Sequence, residues 1–221
     1  MKISVLDLIC PHYCCSCGEI GDILCEYCKN NIIEDIYSGC IVCGKTTIGD
    51  NKCNDCETTY TKAWCVGERK GSLLDLIDKL KFQRARASAK KCAELLDERL
   101  PILPDDIIVV PIPTIAPHIR IRGYGHTELI AQKFASMRNI TYKNILHREK
   151  YEVQHKANKK ERIKQAKRAF VVKEKIPAKT ILLIDDIFTT GSTMEFAAQK
   201  ILENGASNVW VAIIARQPLE K

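Results

Sequence analysis

The 221-residue chain contains no run approaching the roughly 18 consecutive apolar residues that a bilayer-spanning helix requires, so membrane insertion is not expected. It has no Gly/Ser-rich linker and no internal repeat apart from a recurring cysteine spacing, which excludes a tethered array of like units. The Gly-x-x-x-x-Gly-Lys phosphate loop is absent, and the ATPase reading fails with it. The first residues, Met1 to Leu8, carry Lys2 and Asp7 within their apolar stretch. They lead into cysteines rather than to a small-residue cleavage site, unlike a secretory signal. The expected location is cytoplasmic.

The chain is rich in cysteine. Ten of its twelve cysteines lie within the first 56 residues, and in a reducing compartment such density points to metal rather than to disulfides. Four Cys-x-x-Cys units can be read: Cys14/Cys17, Cys25/Cys28, Cys40/Cys43 and Cys53/Cys56. Each turn aims two thiolates at one ion, and two units complete the tetrahedral sulfur shell that structural Zn²⁺ prefers. The simplest grouping is sequential, with Cys14, Cys17, Cys25 and Cys28 on one ion and Cys40, Cys43, Cys53 and Cys56 on a second. An interleaved grouping satisfies the same spacing. Cys92 reads as a small buried residue on a helix face.

From Asp106 onward the pattern alternates between apolar runs and amphipathic stretches. Strands are predicted over residues 107–112, 169–172, 180–185 and 208–214, with helices over 128–137 and 193–204. Two short helices are predicted within residues 63–100, with a break near Phe82-Gln83-Arg84. Continuous apolar strands separated by helices indicate a parallel sheet covered on both faces. The expected organisation is a four-pair cysteine module over residues 1–60 and an α/β domain over residues 61–221.

The run Thr180 to Asp185 ends in adjacent acids, Asp185 and Asp186, and continues into Thr189-Thr190-Gly191-Ser192-Thr193 before a helix. Backbone N–H groups, hydroxyls and a helix N-terminus converging on one point suit a phosphate monoester. Carboxylates just before them suit vicinal ribose hydroxyls, and the carboxyl end of a parallel strand is where open α/β sheets bind ligands. Singly, each residue reads as a strand end or a helix cap; in this order they point to a sugar-phosphate site.

Charge is concentrated as well. Of a formal net charge of +7, the segment from Arg148 to Arg168 holds nine Lys/Arg against three Glu. This segment, expected to be basic and flexible over residues 147–168, suits a phosphate-bearing partner. Its only aromatic residue apart from His155 is Tyr151, so base stacking there is limited.

Residues Ile181 to Thr193 resemble the phosphoribosyl-pyrophosphate (PRPP) signature of type I phosphoribosyltransferases. The resemblance implies a parallel sheet flanked by helices, with Asp185 and Asp186 on the ribose hydroxyls, Thr189 to Thr193 around the 5-phosphate, and Mg²⁺ bound together with PRPP. The cysteine pairs followed by this domain resemble the ComF family, whose zinc-ribbon module and phosphoribosyltransferase-like domain are associated with natural competence and single-stranded DNA. The segment Gly71 to Phe82 is similar to the family helix ending in Leu-Lys-aromatic, which makes Lys81 a candidate phosphate contact. Val110-Pro111-Ile112-Pro113 matches the turn expected at the pyrophosphate. Arg120-Ile121-Arg122-Gly123-Tyr124 resembles an Arg-x-Arg-Gly-aromatic element, and Arg120, Arg122, Lys159, Lys160 and Arg162 are candidate phosphate or nucleic-acid contacts. This chain has Gly125-His126 where the family continues with Asn-Gln. The resemblance implies a sugar phosphate such as PRPP, single-stranded DNA and proteins of the competence machinery as partners. The glutaminase nucleophile of amidophosphoribosyltransferases is not found at the start of the sequence, so ammonia transfer from glutamine is not expected.

Overall fold

Nine consecutive residues, Thr180–Phe188 (β6), form the central strand of a five-stranded parallel sheet with the order β1-β7-β6-β2-β3. The other strands are β1 (Lys62–Glu68), β2 (Ile108–Pro111), β3 (Thr141–Tyr142) and β7 (Asn208–Arg216). A separate antiparallel pair, β4 (Leu146–Arg148) and β5 (Phe170–Val172), lies outside this sheet. The structure is a computed structural model that describes residues 11–148 and 170–219. Cys10, Lys159, Lys160, Arg162 and most of the basic segment lie outside the described residues.

Alternation along β6 divides its side chains between two cores. Leu182 and Ile184 pack with one apolar cluster and Ile181 and Leu183 with the other, as the two-residue period of a strand requires. The first cluster contains the inward faces of α2 (Gly71–Phe82), α3 (Ala87–Arg99) and α5 (His126–Met137), and the second contains that of α6 (Ser192–Glu203). In α2 the buried residues are Leu73, Leu76, Ile77 and Leu80, the spacing of a single helical face. The helix stops where Arg84 turns into the left-handed region at φ 55°, at the predicted break. Cys92 is fully buried on α3.

Two elements depart from expectation. Residues 62–68 form the edge strand β1, pairing in parallel with β7, whereas only helices were expected between residues 63 and 100. Residues 170–172 form a strand as predicted, but pair with β4 instead of joining the parallel sheet. The short helices α1 (Glu26–Glu34) and α4 (Ala116–Arg122) were also not anticipated.

The cysteine module is built on a repeated knuckle. Around Cys14 a small bridge joins Tyr13 to Ile20, and around Cys40 another joins Gly39 to Thr46. Gly18 and Gly44 donate their N–H groups back to the carbonyls of Cys14 and Cys40, at φ 79° and 77°. That left-handed conformation favours glycine at the reversal. The second pairs differ: Cys25 caps α1 and Cys28 lies in its first turn, whereas Cys53 and Cys56 flank a turn at Asn54 and Asp55.

Both knuckles are fastened to the sheet. Cys14, Leu24, Cys28 and Ile32 join the helical core. Buried Arg216, at the end of β7, donates to the carbonyls of Ile41 at 2.7 Å and Val42 at 3.2 Å within the second knuckle. Asn51 donates to the carbonyls of Tyr37 and Gly39, and its own Oδ1 accepts from the Cys65 N–H of β1.

Candidate functional site

The site forms where the carboxyl ends of β2 and β6 meet the loops that follow them, the position at which open α/β sheets bind ligands. A cavity of about 220 Å³ there is lined by residues that include Thr114, His118, His126, Arg148, Asp185, Asp186 and Thr193. Adjacent carboxylates reach it from opposite faces of one strand. Asp186 continues the Leu182–Ile184 face toward α2 and α5, while Asp185 continues the other face.

Asp186 is 6% exposed, and its Oδ2 lies 2.5 Å from Lys81 Nζ and 2.8 Å from His126 Nε2. Its Oδ1 accepts the N–H of Ile187. Burial alone would raise its pKa; the hydrogen bond from His126 and the Lys81 ammonium outweigh that and hold the carboxyl well below the usual range. Asp185 is pushed the other way, well above the ordinary carboxylate value, first by burial and then by the charge of Asp186 beside it. The pair is thus split into an anchored carboxylate and a more easily protonated one, a pattern characteristic of functional sites.

His126 has a defined role in this arrangement. Its Nδ1 lies 2.9 Å from Arg122 Nη1 and 3.2 Å from Thr114 Oγ1. A guanidinium can only donate, so Nδ1 accepts and Nε2 carries the proton given to Asp186. The order Arg122–His126–Asp186–Lys81 therefore forms a continuous polar relay linking α4, α5, β6 and α2. Thr127 Oγ1 donates to the Ile112 carbonyl at 2.6 Å, and Tyr124 donates to the Leu80 carbonyl at 2.5 Å. These bonds fix the start of α5 against the β2 loop and the end of α2.

The Thr-Gly loop closes the other side. Gly191 has φ 79° and forms the N-cap of α6 without a side-chain cap. A Cβ on it would lie 2.5 Å from the Phe188 ring, so the residue must be glycine both for conformation and for space. Thr193 lines the cavity. Thr189, Thr190 and Ser192 are exposed and do not line it; Thr190 Oγ1 and Ser192 Oγ lie 3.1 Å apart. The N–H groups of the first turn of α6 receive no side-chain cap, an arrangement chemically suited to an anion.

Among the remaining sequence candidates, Lys81 and Arg122 reach the relay. Arg120 is exposed and lines neither this cavity nor the hollow beside it. Sequence reasoning gave no role to Thr114, Thr127 or His118, and it singled out Arg148 only as the start of the basic segment. Arg148 lines the cavity and its Nε donates to the Pro113 carbonyl at 3.1 Å. His126 carried one signal, its departure from the resembled pattern.

The thiol groups resolve into the sequential grouping. The Sγ atoms of Cys14, Cys17, Cys25 and Cys28 lie within 4.8 Å of one another, as do those of Cys40, Cys43, Cys53 and Cys56. The Cys17–Cys25 and Cys43–Cys53 sulfur separations are each 3.6 Å. Zn–S bonds of about 2.3 Å in a tetrahedron place sulfurs about 3.8 Å apart, so each group is fit to hold a zinc ion. The eleven described cysteines are all free thiols. Cys15 packs against the core instead, and burial pushes its thiol up to about 12.

Fold and site together define an α/β protein with a cleft at the carboxyl end of its parallel sheet and two four-cysteine groups able to hold metal ions. No family model matches the chain. It is 26% identical over 207 residues to the DNA utilization protein YhgH of Salmonella typhi, covering 87% of this chain and 90% of that protein. It is 27% identical over 208 residues to competence protein F of Haemophilus influenzae, covering 87% and 90%. To the competence protein ComFC of Streptococcus pneumoniae it is 26% identical over 191 residues, covering 84% of each. Similarity of this extent to DNA utilization and competence proteins supports a place in the ComF family.

Proposed function

We propose that the chain binds a pyrophosphorylated ribose 5-phosphate, PRPP, at the cleft between Asp185, Asp186 and the Thr189–Thr193 loop, and that it serves the handling of DNA in natural competence. The observation that carries the reading is convergence. Two carboxylates, a threonine-bearing β2 loop and the uncapped N-terminus of a twelve-residue helix meet at one cavity of about 220 Å³. Asp185 and Asp186 receive the ribose hydroxyls, and the loop N–H groups and hydroxyls receive the 5-phosphate. The oxygen donors at the strand end suit Mg²⁺, which when bound with PRPP would neutralise the departing pyrophosphate. The carboxylates themselves favour positive charge developing on the ribose ring, so the activity proposed is transfer of a phosphoribosyl group to an acceptor. The names of the relatives support the competence role, and the reduced cysteine groups fit a cytoplasmic setting.

A titration with PRPP and Mg²⁺ tests the reading. Replacing both acids, Asp185→Asn/Asp186→Asn, removes two charge-assisted acceptors and is expected to weaken binding by about 100-fold or more. Equal affinity of parent and variant would refute it.

A second reading, DNA binding without transfer, is favoured by the charge of the chain, nine Lys/Arg against three Glu between Arg148 and Arg168. Contacts from Lys159, Lys160 and Arg162 to a strand backbone make affinity fall steeply with salt. A flat salt response, or no change on neutralising these three, would count against it.

A further inference from the structure

Beside the acidic cleft lies a second hollow of about 240 Å³, lined by Lys81, Phe82, Arg84, His118, Ile121 and Arg122. It shares His118 with the first cavity, and the relay from Lys81 through Asp186 and His126 to Arg122 forms the partition between them. Three cations surround two apolar side chains that remain in water, Phe82 at 69% and Ile121 at 67% exposure.

The hollow is held in shape by its own arginines. Arg122 lies over the Phe82 ring at 5.6 Å from its centroid while also donating to His126. Arg84 donates to the Ile121 carbonyl at 2.8 Å, and Arg86 to the Gly123 carbonyl at 3.2 Å while lying over Tyr124. The turn between α2 and α3 is thereby clamped to the turn between α4 and α5. Arg84 keeps a left-handed backbone at φ 55°, a conformation unfavourable for a residue with a Cβ and held here by the clamp.

A phosphate alone would use the cations and leave the ring face idle. A neutral apolar peptide would cover Phe82 and Ile121 but leave the Arg84 and Arg122 guanidinia facing it without an anion. A ligand uniting a planar π system with an anion uses both, since aromatic side chains stack bases while arginines take phosphate. We propose that this hollow is a nucleotide subsite, with the base on the exposed face of Phe82 against Ile121 and the phosphate at the Arg84 guanidinium. The assignment rests on the proposed function for the neighbouring cleft, and it names the class of the second ligand: a nucleotide unit, free or within a single strand.

The test uses the full-length zinc-loaded chain and two probes, dAMP and a single-stranded oligonucleotide carrying 2-aminopurine, whose fluorescence falls on stacking. Binding should quench the oligonucleotide. Phe82→Ala should weaken it by roughly tenfold and abolish quenching, while Phe82→Trp should restore both. Because Phe82 is exposed and absent from the sugar-phosphate cleft, PRPP affinity should be the same in Phe82→Ala as in the parent. Asp185→Asn should affect PRPP but leave quenching intact, so failure of either assignment is seen separately. Binding of dAMP as tightly as the oligonucleotide would identify a free nucleotide as the source; tighter oligonucleotide binding would identify the strand. Undiminished affinity in Phe82→Ala, or binding without quenching in the parent, would overturn the proposal.

Discussion

Replacing Lys81 by methionine keeps the aliphatic stem and deletes one charge beside Asp186. The two side chains are 14% and 8% exposed and 2.5 Å apart, so the pair is largely removed from water. Breaking a buried ion pair by deleting one partner costs about 3–5 kcal/mol, because the remaining charge is left in a poorly solvating interior. Asp186 keeps its contact with His126 at 2.8 Å, so the lower figure, about 3 kcal/mol, is expected. For a chain of this size that corresponds to a fall in Tm of about 6–12 °C, read by calorimetry and by urea unfolding at neutral pH. Asp186→Asn in the same background should recover most of the loss, because no charge is then left alone, giving a coupling of about 2 kcal/mol. Destabilisation by Lys81→Met of less than about 1 kcal/mol, or strictly additive effects in the double variant, would refute the view that Lys81 and Asp186 form one desolvated unit.

Three further outcomes are expected. Burial and the charge of Asp186 hold the Asp185 carboxyl above the usual range; in the proposed function its ionised form receives the ribose, so PRPP affinity should rise as pH increases through that raised value. Asp185→Asn should flatten the profile, and a parent profile equally flat across pH 4–8 would contradict the assignment. Gly191→Ala would place a Cβ against the Phe188 ring at 2.5 Å and force a left-handed alanine; it should cost about 1–2 kcal/mol and weaken PRPP binding, as calorimetry would show. Elemental analysis should find two zinc ions per chain and only one in Cys43→Ser, while fewer than two in the parent would dispose of the paired assignment.

Much of the site was legible because its chemistry is local. The acids and the Thr-Gly loop are contiguous, and a strand run followed by Gly191 and a helical pattern fixes their order at the carboxyl end of a strand. The cysteine units are likewise short-range geometry, although their spacing admitted two groupings until the folded knuckles brought Cys14 to Cys28 together and Cys40 to Cys56 together. The edge strand β1 was hidden because its short run carries Gly67 and directly precedes two helices, and its strand character depends on the partner β7.

The amino-acid sequence by itself determined the alternation of strands and helices and thiol groups suited to metal, and it supplied the sugar-phosphate reading proposed for Asp185–Thr193. Only the tertiary structure decided which face of β6 each carboxylate serves. It also decided that Lys81, Arg122 and His126 meet at Asp186, and that Phe82 and Ile121 share a basic hollow. The physical reason is distance along the chain: residues at positions 81, 122, 126 and 186 are neighbours only because packing on a common sheet removes them from water together, and no local propensity encodes that meeting.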